Sequence, residues 1–170
     1  MKKLTALLAV LAFLIPAGAA VAQASDDAFP PQIQALKWRN IGPFNGGRGT
    51  TVVGHPTDRN VFYFGHGSGG LWKTEDAGTY WIPVGQGQFN YASVGAMALY
   101  EKNPDIMYVG LGEPQLRQSV SWGDGVYKTV DGGETWTQIG LEDSLHVARV
   151  RIHPDNPDVV FVASMGHAFG

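Results

Sequence analysis

Short apolar runs and turn-forming residues alternate along this chain at nearly even intervals. From residue 50 onward, "TTVV", "VFYF", "LWKT" and "WIPV" are each fenced by Gly, Pro, Asn or Asp. A second series, "VGAMAL", "IMYV", "VYKT" and "TWTQI", follows, and then "VARVRI" and "VVFVA". Runs this short, rich in β-branched and aromatic residues, read as strands. The pattern predicts strands at 50–53, 61–64, 71–74 and 81–84, then at 94–99, 106–109, 126–129 and 135–139, then at 147–152 and 159–163. Beyond residue 24 no segment carries a 3.6-residue apolar period, so no amphipathic helix is expected.

The series repeats as a unit. "WKTEDAGTYWIPVG" (72–85) returns 55 residues later as "YKTVDGGETWTQIG" (127–140), and the turn prolines Pro56, Pro104 and Pro154 are 48 and 50 residues apart. Four strands in about 50 residues, joined by short turns, is the build of a β-propeller blade. A third unit begins at Val147 and stops at "GHAFG", before its third strand. The expected fold is all-β: a partial β-propeller of two four-stranded blades plus half of a third. Blades are placed at about 38–85, 86–140 and 141–170. Repeat units bury their apolar faces against neighbours, so the chain reads as the N-terminal fragment of a longer propeller, with the remaining blades as partners.

Within the repeat, Thr129, Asp131, Gly133 and Trp136 fall in the order of an Asp-box, S/T-x-D-x-G-x-T-W, also called the BNR repeat. Thr74, Asp76, Gly78 and Trp81 match it, with Tyr80 where the motif has threonine. Together with "WRNIGPFNGGR", "GGLWKT" and "GDGVYKTVDGGETW", these residues resemble the N-terminal blades of exported bacterial sortilin-like propellers, many of them labelled glycosyl hydrolase. The residues themselves argue for a clip. An Asp in the turn between third and fourth strands accepts backbone N–H groups of that turn. The glycine takes a shape that a side chain would resist, and the tryptophan covers the turn. Asp76 and Asp131 are thus expected to be structural. The resemblance implies the same, since Asp-boxes lie away from the active sites of the enzymes that carry them.

The leader changes the picture of where the chain works. "MKK", the apolar "LTALLAVLAFLIPAG" and Ala22-Gln23-Ala24 form a secretory signal peptide over residues 1–24, followed by a linker at 25–37. A secreted or periplasmic location follows, with no membrane span after cleavage. Loss of Lys2 and Lys3 leaves 10 basic residues against 15 acidic ones. Such a chain offers no basic surface for nucleic acid. It has no cysteine, which excludes disulfides, thiol catalysis and zinc-thiolate sites. The 23 glycines and 10 prolines suit a turn-rich β fold, and recurring Val, Ile, Leu and aromatics exclude disorder.

Candidate chemistry falls on the loops joining second to third strands and one blade to the next, which share one end of a propeller. That end should carry His66 and Ser68. From the long 111–125 loop it should carry Glu113, Gln115, Arg117, Ser119, Trp122 and Asp124. Gln88, Asn90, Tyr91, His146 and His167 should join them, and Arg48 is placed to point into the axial channel. Glu113, Arg117 and Trp122 offer charge and an indole face for a protein, peptide or glycan ligand. Arg39 beside Trp38 is expected to pack structurally. "GHGSGG" (65–70) fits G-x-G-x-x-G, but a strand follows where a dinucleotide site needs a helix, so no cofactor is expected. His55 and His153 precede prolines at equivalent turns, and no metal-ligand spacing is present. Glycoside hydrolysis needs two carboxyl groups about the bond. The resemblance to xyloglucanase-type propellers would place an Asp where Gly67 stands. Glu113 and Asp124 are the only carboxylates left to fill such roles. The reading is a ligand-binding or protein-interaction propeller, with a glycoside hydrolase or an assembly scaffold as alternatives.

Overall fold

The computed structural model describes residues 48–167. The leader, the linker and residues 38–47, with Arg39, lie outside them. Among the described residues there are ten strands and no α-helix. They are β1 (Gly49–Gly54), β2 (Phe62–His66), β3 (Gly70–Thr74), β4 (Ile82–Val84), β5 (Val94–Leu99), β6 (Met107–Leu111), β7 (Val126–Thr129), β8 (Thr137–Gly140), β9 (Val147–His153) and β10 (Asn156–Ser164).

These strands form two four-stranded antiparallel meanders, β1-β2-β3-β4 and β5-β6-β7-β8, and one hairpin, β9-β10. Equivalent residues pair in both meanders. Tyr63 faces Lys73 across β2 and β3, and Tyr108 faces Lys128 across β6 and β7. The first strands of the three sheets lie side by side, β1 on β5 and β5 on β9. Inner strands side by side, with each meander running outward, are the arrangement of propeller blades about an axis. All ten expected strands are present, in a partial propeller.

The bounds differ in an instructive way. β4 and β8 start at Ile82 and Thr137, later than the pattern predicts, because the residues ahead of them are still in the turn. Tyr80 N–H donates to Asp76 Oδ1 at 2.8 Å and Thr135 N–H to Asp131 Oδ1 at 2.9 Å. β2 and β6 run two residues further than expected, so His66 belongs to a strand and pairs with Gly70. A one-turn 3-10 helix at Glu142–Ser144, flanked by Leu141 and Leu145 at φ 63° and 52°, was not foreseen. Leucine rarely adopts positive φ, so this connection is fixed by its surroundings.

The core lies between the sheets. Leu71, Val94, Met107, Val109, Leu111, Tyr127 and Trp136 form one buried cluster, and Ala96, Ala98, Tyr108, Val126, Val147 and Val150 form another against the hairpin. Burial of this apolar surface is the main favourable term holding sheet on sheet. Side chains also stitch sheet to sheet at the turn end. Tyr63 OH donates to Gly132 O at 3.4 Å, and Tyr108 OH to Pro157 O at 2.8 Å. Lys128 Nζ reaches Asp158 at 2.8 Å and Lys102 Nζ reaches Asp155 at 2.6 Å.

Both Thr-x-Asp-x-Gly turns fold alike. Thr129 Oγ1 donates to Asp131 Oδ1 (2.6 Å) and accepts from Gly133 N–H (3.1 Å). Thr74 Oγ1 does the same with Asp76 (2.8 Å) and Gly78 (2.9 Å). Gly133 and Gly78 sit at φ 96° and 95°, where a Cβ is strained. Each tryptophan closes the turn, Trp136 Nε1 on Gly133 O and Trp81 Nε1 on Gly78 O, both at 3.0 Å.

Candidate functional site

Antiparallel meanders send alternate connections to opposite ends. The Thr-x-Asp-x-Gly turns sit with the β1–β2 and β5–β6 turns, since Ala77 N–H donates to Asn60 O and Gly132 N–H to Asp105 O. At the other end the 111–125 loop is tied to the sheet-to-sheet connections. Gly112 N–H donates to Ser93 O, Glu113 N–H to Ser121 O and Gly123 N–H to Leu145 O. Glu113, Arg117 and Trp122 therefore lie away from Asp76 and Asp131.

Glu113 is the hub of this end. Its side chain is 1% exposed and sits between two guanidinium groups. Arg48 Nε donates to Oε1 at 2.9 Å and Nη2 to Oε2 at 3.4 Å. Arg117 Nη2 donates to Oε2, and Ser121 N–H approaches the same oxygen at 3.5 Å. Burial pushes the Glu113 carboxyl upward, but hydrogen bonds from Arg117, Arg48 and Ser121 outweigh it and hold the group below the ordinary carboxylate range. Gly67 makes room for it: a Cβ at that position would lie 2.9 Å from Glu113 Oε1.

His66 stands beside this pair of charges. Its Nδ1 accepts the Ser68 N–H at 3.1 Å, so a neutral ring carries its proton on Nε2, which is buried without a partner among the described residues. Burial, and then Arg48, pull its pKa below the ordinary value, with Glu113 opposing. Asp124 is held from the side. Oδ2 accepts Asn90 Nδ2 at 2.7 Å and Tyr127 OH at 3.0 Å, while Oδ1 is buried and unpartnered among the described residues. Burial and this bond to Asp124 push the Tyr127 phenol upward.

The aromatic part of the face is open. Trp122 is 57% exposed, with Leu116 and Tyr91 also exposed. Arg48 keeps 43% of its side chain in solvent and Arg117 29%, so each guanidinium has donors left after binding Glu113. His146 is fully buried beneath this end, with both ring nitrogens unpartnered among the described residues. Gln88 turns to the β7–β8 turn, donating to Glu134 O and accepting Trp136 N–H. Gln115 lines a cleft between the inner strands, with Arg149 and Arg151. Those two arginines went unremarked in the sequence; the signal was "VARVR", with arginines alternating on an inner strand. Among the described residues no cluster of His, Asp and Glu is arranged to hold a metal, and no helix is long and apolar enough to cross a membrane.

No protein-family model matches the chain, and no curated protein matches it. Solved structures do. A GH74 enzyme of Niastella koreensis superposes with a TM-score of 0.52 at 21% identity, over 66% of this chain and 16% of that one. An ancestral GH74 enzyme superposes with a TM-score of 0.54 at 16% identity, over 69% of this chain and 16% of that one. The chain thus spans about one sixth of the length of these enzymes, and the likeness at such identities is one of fold.

Proposed function

We propose that this chain is part of an exported, sortilin-like propeller that binds a protein, peptide or glycan ligand, rather than one that hydrolyses it. The observation carrying this reading is the state of Glu113. A glycosidase acid needs a carboxyl whose pKa is raised so that it holds a proton to give. Glu113 is instead kept ionised between Arg48 and Arg117, and its role is to orient the two guanidinium groups at the end of the molecule that also carries the exposed Trp122. An Asp at position 67 would need the space that the Glu113 carboxylate fills. Asp124, gripped by Asn90 and Tyr127, fixes the far side of the loop, and His66 presents a neutral ring. Aromatic surface plus oriented charge is the usual composition of a recognition face.

The alternative, a glycoside hydrolase, draws support from the GH74 neighbours, in which the same fold serves enzymes. One experiment separates the two. The secreted full-length protein is titrated with a panel of β-glucan oligosaccharides and of peptides, followed by tryptophan fluorescence, and the sugars are then analysed for shorter products. Binding without cleavage, weakened about tenfold or more by W122A or R117A, is the expected result. Cleavage abolished by D124N would overturn the binding reading in favour of the hydrolase. The export half is tested by mass spectrometry, which should find Ser25 as the first residue; an N-terminus at Met1 would refute it.

A further inference from the structure

The described residues contain eight lysines and arginines, and five of them are in ion pairs: Arg48, Lys73, Lys102, Arg117 and Lys128. Arg59, Arg149 and Arg151 are the remainder. Arg59 is in the exposed β1–β2 turn, whereas Arg149 and Arg151 share one strand, β9, two residues apart. Both line a cleft of about 440 Å³ between the inner strands β1, β5 and β9, whose wall, among the described residues, includes Thr50, Thr51 and Gln115 and no carboxylate. A neighbouring cleft of about 450 Å³ towards the turn end is lined by Arg151 and Glu101, and among the described residues these two make no ion pair.

Two unpaired guanidiniums in one concave wall repel each other, in a chain whose net charge is −3. Alternate residues on a strand are roughly 7 Å apart, close enough for two long side chains to converge on one group. Guanidinium forks match planar or tetrahedral oxyanions through paired N–H donors, and a concave low-dielectric wall concentrates the field of such charges. Thr50, Thr51 and Gln115 line the same cleft; Thr50 Oγ1 is already committed to Gly65 O and Val94 O, at 2.9 and 2.6 Å, which leaves Thr51 and Gln115 as the polar residues of the wall without a side-chain hydrogen bond among the described residues. The volume suits a small molecule or one terminal group of a larger one.

We propose that the cleft between β1, β5 and β9 is an anion subsite, in which Arg149 and Arg151 grip a compact oxyanion, a carboxylate or a phosphate. The subsite adjoins the Glu113–Trp122 face through Pro114 and Gln115, but it does not depend on the reading given to that face. Its test uses two probes at constant ionic strength, citrate and inorganic phosphate, titrated calorimetrically into the full-length protein. Saturable binding of citrate alone assigns a carboxylate, and of phosphate alone a phosphate; binding of both assigns an oxyanion without further choice. In the R149Q/R151Q protein the affinity should fall at least tenfold, and each single variant should lose part of that. Because both residues are exposed and make no ion pair among the described residues, the melting temperature should stay within a degree or two. R59Q, which removes the same charge at the turn end, should bind like the parent. Absence of binding by either probe, retention of affinity in R149Q/R151Q, or an equal loss in R59Q would overturn the proposal.

Discussion

The sheet β1–β4 and the sheet β5–β8 have one topology and one closing turn, yet they are buried very differently. β5 and β6 are buried along almost their whole length, whereas in β1 every residue is half-buried or exposed. Part of the difference is in the strands, since β1 carries two threonines where β5 is apolar almost throughout. The rest lies in position. The second sheet has β1 and β2 on one face and β9 on the other. At the opposite end the two sheets differ in a second way: three residues join β2 to β3, and fourteen join β6 to β7. Strand chemistry and the closing turn build the unit, neighbours decide how much it buries, and loop length decides which sheet carries the candidate site.

The comparison is tested most severely at the two tryptophans. Trp136 is 8% exposed and packs edge-on against Phe89 at 5.2 Å, so Trp136→Ala should cost about 3–5 kcal/mol. Trp81, half-buried against Phe64, should cost about 1–3 kcal/mol. Denaturant titrations read both, and equal losses would refute the claim that position governs burial.

Next in size come the turn threonines. Thr129→Val and Thr74→Val each remove the acceptor of a turn glycine N–H and should cost about 1–3 kcal/mol. Nearly equal midpoint shifts are expected if the turn is self-contained; a much larger shift for Thr129→Val would tie the turn to its neighbours instead.

A smaller effect should appear as a pH dependence confined to the second sheet's loop. Glu113 has its carboxyl held below the ordinary 4.5, so its stabilising contribution is fully present above that value. The contribution is lost as pH falls through the depressed folded value. Glu113→Gln should lower the melting temperature at neutral pH and flatten the part of the acid decline that begins below about pH 4.5. Asp76 and Asp131, whose carboxyls are also depressed, by Tyr80 and Thr74 and by Thr129 and Thr135 respectively, keep the rest of that decline. An unchanged acid limb would show that the Arg48–Glu113–Arg117 cluster contributes nothing.

The smallest change concerns Tyr80. In the second turn Thr135 adds a hydroxyl bond of 2.5 Å to Asp131 Oδ2, while the exposed Tyr80 offers Asp76 only its N–H. Tyr80→Thr should therefore raise the melting temperature slightly, and a fall would mean that the tyrosine ring supports the first sheet.

Local chemistry made most of the fold legible. Strands and turns could be read because Gly, Pro, Asn and Asp punctuate them and because the Thr-x-Asp-x-Gly turn satisfies itself within seven residues. The site was legible only as a set of loop residues. What joins Glu113 to Arg48 is a contact across 65 positions, and no local pattern announces it. The 3-10 turn after β8 escaped for a similar reason: Leu141 and Leu145 take positive φ where their backbone passes close to Gly125 and Gly112, which are distant in sequence. Arg149 and Arg151 were visible as letters, but strand alternation alone does not say which face looks onto a cleft.

Tyr63 and Tyr108 hold equivalent places, and each hydroxyl leaves its own sheet to bond the turn end of the next. Each unit therefore carries its own connector. A gene segment encoding one unit could be copied in tandem, and the new sheet would arrive with the tyrosine that fastens it to its successor. Propellers with different numbers of blades are then within reach of duplication alone, with no residue of the existing sheets having to change.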